Sequence, residues 1–241
     1  MLQREKMSLI NNVSAILSQK TSLDDLGYLS NKVVNDDIAI LDIDWKNIIP
    51  APPKNSSETT ARELKSIAQA TASRTMKELD LIKTVDEEPL DLFYPFLERK
   101  KLKFPINRFN EMYNILEQYI YALKNYFNRP RPEQLAPYYN IEINILHTIT
   151  HHTPAYPSGH TMYAALAANM LSDMYPEHKK VFFELTNYCG LARILQGVHY
   201  ASDNTAAIKA TAVIYEAIKR RFANHERTQE NPLDRSQTET T

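Results

Sequence analysis

The chain has 241 residues, 43% hydrophobic and 24% charged, with 28 Lys plus Arg against 29 Asp plus Glu. That size supports one or two domains with a self-sufficient core, and the net charge of −1 argues against nucleic-acid binding and against general attraction to anionic membranes. A single cysteine, Cys189, excludes a disulfide framework and a multi-thiolate zinc site, and four glycines exclude a Rossmann or P-loop glycine cluster and argue against a turn-rich sandwich or barrel.

Apolar residues recur at helical spacing along most of the chain. Leu9, Ile10, Val13, Ile16 and Leu17 predict a first amphipathic helix. Residues 21–56, with Trp45 and the run IIPAPPKNSS, read as an extended connection crossing the surface. Thr60 and Glu63 have capping-box spacing, and Leu64, Ile67, Ala68, Thr71, Thr75, Met76, Leu79 and Ile82 continue on one face. A short helix is expected over Leu90 to Lys100, with Pro95 near its middle. Pro105 opens a long helix carrying Phe109, Met112, Tyr113, Leu116, Tyr119, Ile120, Leu123 and Phe127, which stops at RPRP. A Pro-rich loop with two short apolar pieces covers 130–157. Helices are then expected from Ser158 to about Met174, from about Glu177 to Gln196, and from Ser202 to about Phe222. Ala223 to Thr241 is polar and aperiodic and reads as a disordered tail.

No stretch is predicted to span a bilayer. Met162 to Met170 is too short, and Lys209 and Glu216 interrupt Thr205 to Ile218. The N-terminus has Arg4, Glu5 and Lys6 but no apolar core of a signal peptide. The expectation is a soluble chain, cytoplasmic unless a leader has been removed. The fold class is all-α: a single-domain helical bundle with an N-terminal helix and connection over 1–56, a core over 57–222 and a tail over 223–241.

Three stretches carry chemistry. In KNYFNRPRP, Lys124, Arg129 and Arg131 cluster at a helix end. They either complement the helix dipole or clamp a phosphate, with arginine forking two oxygens and lysine supplying a point charge. In AYPSGHT, Ser158 and Gly159 open an alanine-rich helix. This is either an ordinary cap or an anion site built from free backbone N–H groups. His160 then sits in the first turn, where a bound phosphate would turn it into a proton donor. In ARILQGVHYASD, Gly197 can end a helix that carries Arg193, and His199 precedes Asp203 by four residues. The pair is either a surface ion pair or an oriented imidazole: a carboxylate on Nδ1–H leaves Nε2 as nucleophile or base.

In order these stretches read K-x6-R-P, P-S-G-H and R-x5-H-x3-D. The set resembles the signature of the superfamily that includes type 2 phosphatidic acid phosphatases, class A nonspecific acid phosphatases and vanadium haloperoxidases. The resemblance covers about Lys124 to Ala217, and NRPRP, AYPSGHT and GVHYASD look most like the soluble class A acid phosphatases. It implies an acid phosphatase acting without a metal on soluble phosphomonoesters. It also implies that Lys124, Arg131 and Arg193 bind the non-bridging oxygens, with the Ser158 hydroxyl and the Gly159 N–H completing the cradle. His199 would attack phosphorus and form phosphohistidine, Asp203 would orient it, and His160 would protonate the leaving oxygen and then activate water. No metal ligand set and no cofactor is expected, and the partner is a small phosphate ester. Homo-oligomerisation is left open. Two alternatives stand beside this reading: a haloperoxidase holding vanadate on His199, and a non-catalytic phosphate binder of the same fold.

One position departs from the pattern. Ala192 stands where the family's third motif usually has serine, which puts the setting of Arg193 in question. His147, His151 and His152 are candidates for the pocket lining, as are Tyr126 or Phe127 for a wall. Tyr138, Tyr139 and Tyr156 are candidate leaving-group contacts. Cys189 reads as a core residue, and KRRF at 219–222 reads as a C-terminal charge cluster.

Overall fold

In the computed structural model, which describes residues 22–29, 38–148 and 150–230, the chain is built from helices, with no strand among those residues. The helix expected over Leu9 to Leu17 lies outside them. The connection that follows is partly buried. Leu41, Trp45 and Ile49 enter the core, the Leu41 N–H donates to the Tyr119 hydroxyl at 2.8 Å, and Trp45 packs edge-on to Tyr126.

The first long helical pattern splits in two. Helix α1 (Glu58–Ala72) starts at Ser57, whose hydroxyl accepts the Thr60 N–H, so Thr60 is not the cap. The capping box lies further on. Thr75 and Glu78 satisfy each other's N–H groups and start α2 (Met76–Glu87). The restart changes the helical phase, which leaves Met76 on the surface, 71% exposed, although the single-helix pattern places it on the apolar face.

Proline placement accounts for the next elements. A 3-10 turn over Pro89–Leu92 leads into α3 (Tyr94–Lys100), where Pro95 occupies the first turn and needs no hydrogen bond. Pro105 precedes α4 (Ile106–Phe127), and Asn128 ends that helix in the left-handed conformation. The loop over 130–157 contains a single helical turn at Pro132–Leu135 and a 3-10 turn at Ala136–Tyr139.

Three helices follow: α5 (Gly159–Met174), α6 (Lys179–Gln196) and α7 (Ala201–Glu230). Helix α5 is central. Ala164, Ala165, Ala167 and Ala168 have no exposed surface, and α4, α6 and α7 pack around it. Gly190 lets α7 approach α6 closely, because a Cβ there would meet the Asn204 side chain at 3.0 Å. Gly197, at φ 89°, ends α6 in a conformation that suits glycine. Helix α7 has no Gly or Pro to stop it and continues to Glu230, eight residues past the predicted end at Phe222. The helical part of the expected tail is thereby corrected, and residues 231–241 lie outside the described chain. KRRF consequently sits within α7 rather than at its end, with Lys219 paired to Asp173 and Arg221 donating to the Ile40 carbonyl. Among the described residues no helix is long and apolar enough to cross a membrane.

Candidate active site

The turn at Gly197 delivers His199 to the connection just ahead of α7, whose first turn carries Asp203 facing it. The pair is not a surface feature: His199 is 2% exposed and Asp203 is 0%. Asp203 Oδ2 accepts His199 Nδ1–H at 2.9 Å and the Tyr200 N–H at 3.0 Å. Asp203 Oδ1 accepts Arg129 at 2.6 Å. Arg129 lies over the Tyr200 ring, and its other amino group reaches Glu63 at 3.2 Å. Glu63 in turn accepts the Ser202 N–H and hydroxyl at the start of α7. Arg129 therefore holds Asp203 in place. Of the three clustered cations, only Lys124 and Arg131 remain for a phosphate.

Arg131 donates to the Val198 carbonyl at 2.7 Å, to the Thr153 carbonyl at 2.8 Å, and to His199 Nε2 at 2.9 Å. An arginine can only donate, so Nε2 carries the lone pair and Nδ1 carries the proton. The imidazole is in the tautomer that a nucleophile requires. Lys124 Nζ donates to the Pro154 carbonyl at 2.6 Å. Arg193 is bound by Asp86 at 2.7 Å, by Gln196, and by Thr150 at 3.3 Å, while its Nε is buried without a partner.

Ser158 caps α5. Its hydroxyl pairs with that of Thr161 at 3.0 Å and accepts the Thr161 N–H, and its own N–H donates to the Asp203 carbonyl at 3.2 Å. Thr161 continues to Asn204, and Asn204 to the Gly190 carbonyl, so one polar chain ties α5, α6 and α7 together. Gly159 lies beside Lys124, whose Cε is 3.7 Å from where a Cβ would stand.

Lys124, Gly159 and His160 line a cavity of about 480 Å³. Arg131 and Arg193 stand behind its wall, bonded to the lining residues Thr153, Thr150 and Asp86. All eight residues drawn from the three motifs meet in this region, and His199 and His160 are close enough to feel each other's charge.

The electrostatics of the region are dominated by buried cations. Lys124 is 4% and Arg131 1% exposed, and neither is ion-paired to a carboxylate among the described residues. Burial, and then Arg131, hold Lys124 well below its usual value. Burial also brings Arg131 down to about 10. His160 is pushed down to about 3 by burial and by Arg193, with Asp86 pulling the other way. His199 is held well below its ordinary value by burial, then by Arg131 and Lys124. Burial raises Asp203, and Arg129 opposes that rise. Asp203 acts favourably on both Lys124 and Arg131 without touching either, and burying cations that lack a direct carboxylate partner is costly.

Several residues fall elsewhere than predicted. Tyr126 and Phe127 pack with Trp45 and Tyr156 and do not line the cavity; Tyr113, Tyr121 and Tyr163 do. Tyr138 is exposed, Tyr139 bonds the Asn55 carbonyl, and Tyr156 bonds the Pro50 carbonyl at 2.7 Å. Of the three loop histidines only His152 lines the cavity, with His151 stacked behind it. Cys189 is buried in the core, and burial pushes its thiol up to about 12. Two further residues belong to the site: Glu63, whose spacing from Thr60 suggests only a capping box, and Asp86, which no motif includes. Asp86 accepts Arg193 and the Thr148 hydroxyl and, against the upward push of burial, is held below its ordinary value by those bonds. A signal was present: Asp86, Glu87 and Glu88 form an acidic run at the end of α2, where the helix dipole disfavours negative charge.

Residues 112–226 match the family model described as the PAP2 superfamily. Among solved structures, the chain is similar to the first transmembrane PAP2 type phosphatidylglycerolphosphate phosphatase from Bacillus subtilis, with a TM-score of 0.48 and 16% identity. That match covers 70% of this chain and 89% of the other. No curated protein matches the chain.

Proposed function

From a chain that carries a PAP2 superfamily domain over residues 112–226, we propose a phosphatase that hydrolyses soluble phosphomonoesters, without a metal, through a phosphohistidine. The observation that carries this reading is the pair of buried cations without a direct carboxylate partner, Lys124 and Arg131, with Arg131 beside an imidazole whose Nε2 is unprotonated. Phosphoryl transfer depends mainly on positioning and on neutralising the equatorial oxygens, and these residues supply both.

Lys124, Arg131, Arg193, the Ser158 hydroxyl and the Gly159 N–H would hold the non-bridging oxygens. On binding, Arg131 moves its donor from Nε2 to phosphate and frees the lone pair. His199 Nε2 then attacks in line: the N–P bond forms, the P–O ester bond breaks, and His160 gives its proton to the leaving oxygen. Asp203 stabilises the imidazole as it gains positive charge. In the second step His160 takes a proton from water, the oxygen attacks phosphorus, and the N–P bond breaks. The class A likeness of the three motifs supports a soluble ester as substrate.

An aryl phosphate assayed in the presence of chelator tests the proposal. We expect turnover that vanadate inhibits, and a fall of at least about a thousandfold in His199→Ala. Alkaline quenching of the wild type during turnover should trap phosphate on His199. Turnover retained in the folded variant would reject the mechanism.

A further inference from the structure

The cavity lining carries both charges. Buried Lys124, with Gly159 and His160, forms its floor, where Asp86 is taken up by Arg193; Glu87, Glu88 and Glu117 line it too, together with Tyr113, Tyr121 and Tyr163. Glu87 and Tyr121 are exposed and mark the mouth. Lys83 approaches Glu87 at 4.0 Å in solvent, where such a pair is weak. Neither Glu88 nor Glu117 has a basic ion-pair partner among the described residues.

The aromatic side chains are arranged with the carboxylates. The Tyr113 and Tyr163 rings meet at 82°, with centroids 4.6 Å apart, and form a corner. The Tyr113 hydroxyl donates to Glu117 at 3.4 Å, and Glu88 lies near enough to Tyr163 to act on its phenol. Burial and then these carboxylates raise both phenols, so the hydroxyl protons stay on the rings. Aromatic rings set beside carboxylates attract an organic cation and repel an anion. Toward the floor, the buried Arg193 Nε without a partner, held behind Asp86 and Thr150, marks the anion side of the same site.

We propose that the substrate is a small zwitterionic ester, the phosphate of an ammonium-bearing alcohol, with phosphate on the floor and the cation between the Tyr113–Tyr163 corner and the glutamates. This rests on the phosphatase reading and adds the substrate class. A leaving group carrying further phosphates or carboxylates is disfavoured by the same glutamates.

The test compares kcat/KM for choline phosphate and ethanolamine phosphate with that for 3,3-dimethylbutyl phosphate, which replaces the ammonium by a neutral carbon of the same shape. An aryl phosphate is the control. At low salt at least one ammonium ester should exceed the neutral isostere by about tenfold or more, a range set by desolvated cation–π and charge contacts. The ratio should shrink in 0.5 M salt, by about the extent that screening predicts, and in both Glu117→Gln and the surface variant Glu87→Gln. A ratio of one or below in a wild type that hydrolyses the aryl ester overturns this inference alone. So does a ratio that neither salt nor either variant reduces. No hydrolysis of any ester overturns the phosphatase reading and this inference with it.

Discussion

His160 is neutral above about pH 3 in the free protein, because burial and Arg193 outweigh the pull of Asp86. In the proposed mechanism, the proton it gives to the leaving group must then arrive with the substrate. A phosphomonoester has its second pKa near about 6, so the monoanion binds as the productive form and passes its proton to His160. The expected kcat/KM is highest on the acid side and falls about tenfold per pH unit above about pH 6. A profile that stays flat to pH 8 would contradict this proton route. The same logic separates leaving groups: His160→Ala should lower kcat/KM by about 10² to 10⁴ on alkyl esters and by much less on aryl esters, whose oxygen leaves without help. At this scale the motif spacing was informative, since all eight motif residues converge. It could not show that Arg129 belongs to Asp203. It also could not show that Glu63 and Asp86, 66 and 107 residues from the arginines they bind, belong to the site at all. Those pairings exist only in three dimensions.

The turn between α6 and α7 positions both Arg193 and His199, and it depends on Gly197 at φ 89°. A Cβ there would meet Ile143 Cγ2 at 3.1 Å in a backbone conformation that is strained for an L side chain. Gly197→Ala should cost about 1–2 kcal/mol, read as a lowered Tm. It should also reduce kcat, because the strain lies two residues from His199, the proposed nucleophile. Unchanged melting would show that the turn relaxes freely. The boundaries of α4, α5 and α6 were legible from Pro105, Ser158 and Gly197, each of which acts on its own backbone. The break between α1 and α2 was harder to see. Apolar spacing runs on through residues 73–75, and only the reciprocal bonds of Thr75 and Glu78 decide that a new helix starts there.

For the molecule as a whole, the site trades stability for charge. His160 is held at about 3 and His199 well below 6.5 in the native state, whereas both return to about 6.5 on unfolding. Below that value the unfolded chain takes up protons that the native chain refuses. Stability therefore declines as pH falls from about 6.5 toward about 3, the sense required when the unfolded state binds more protons. On the proposed reading inorganic phosphate binds the native state and should offset the loss. Melting curves across pH 4–8 with and without phosphate should show a falling Tm on acidification and a phosphate-induced rise that is larger at acid pH. A phosphate effect absent at every pH would mean that the cluster does not bind the anion. The all-helical class was readable from periodicity, but the depth at which the cations lie was not, because nothing in a lysine's neighbours along the chain tells how α4 is covered.

Glu63 and Asp86 come from α1 and α2, ahead of the stretch that matches the superfamily. An excised piece spanning only that stretch would contain every diagnostic letter and still strand Arg129 without Glu63 and Arg193 without Asp86. The transplantable unit of this chemistry is accordingly larger than its signature and begins no later than the cap of α1 at Ser57. Grafting the signature alone into another helical scaffold would reproduce the spelling and leave out the struts.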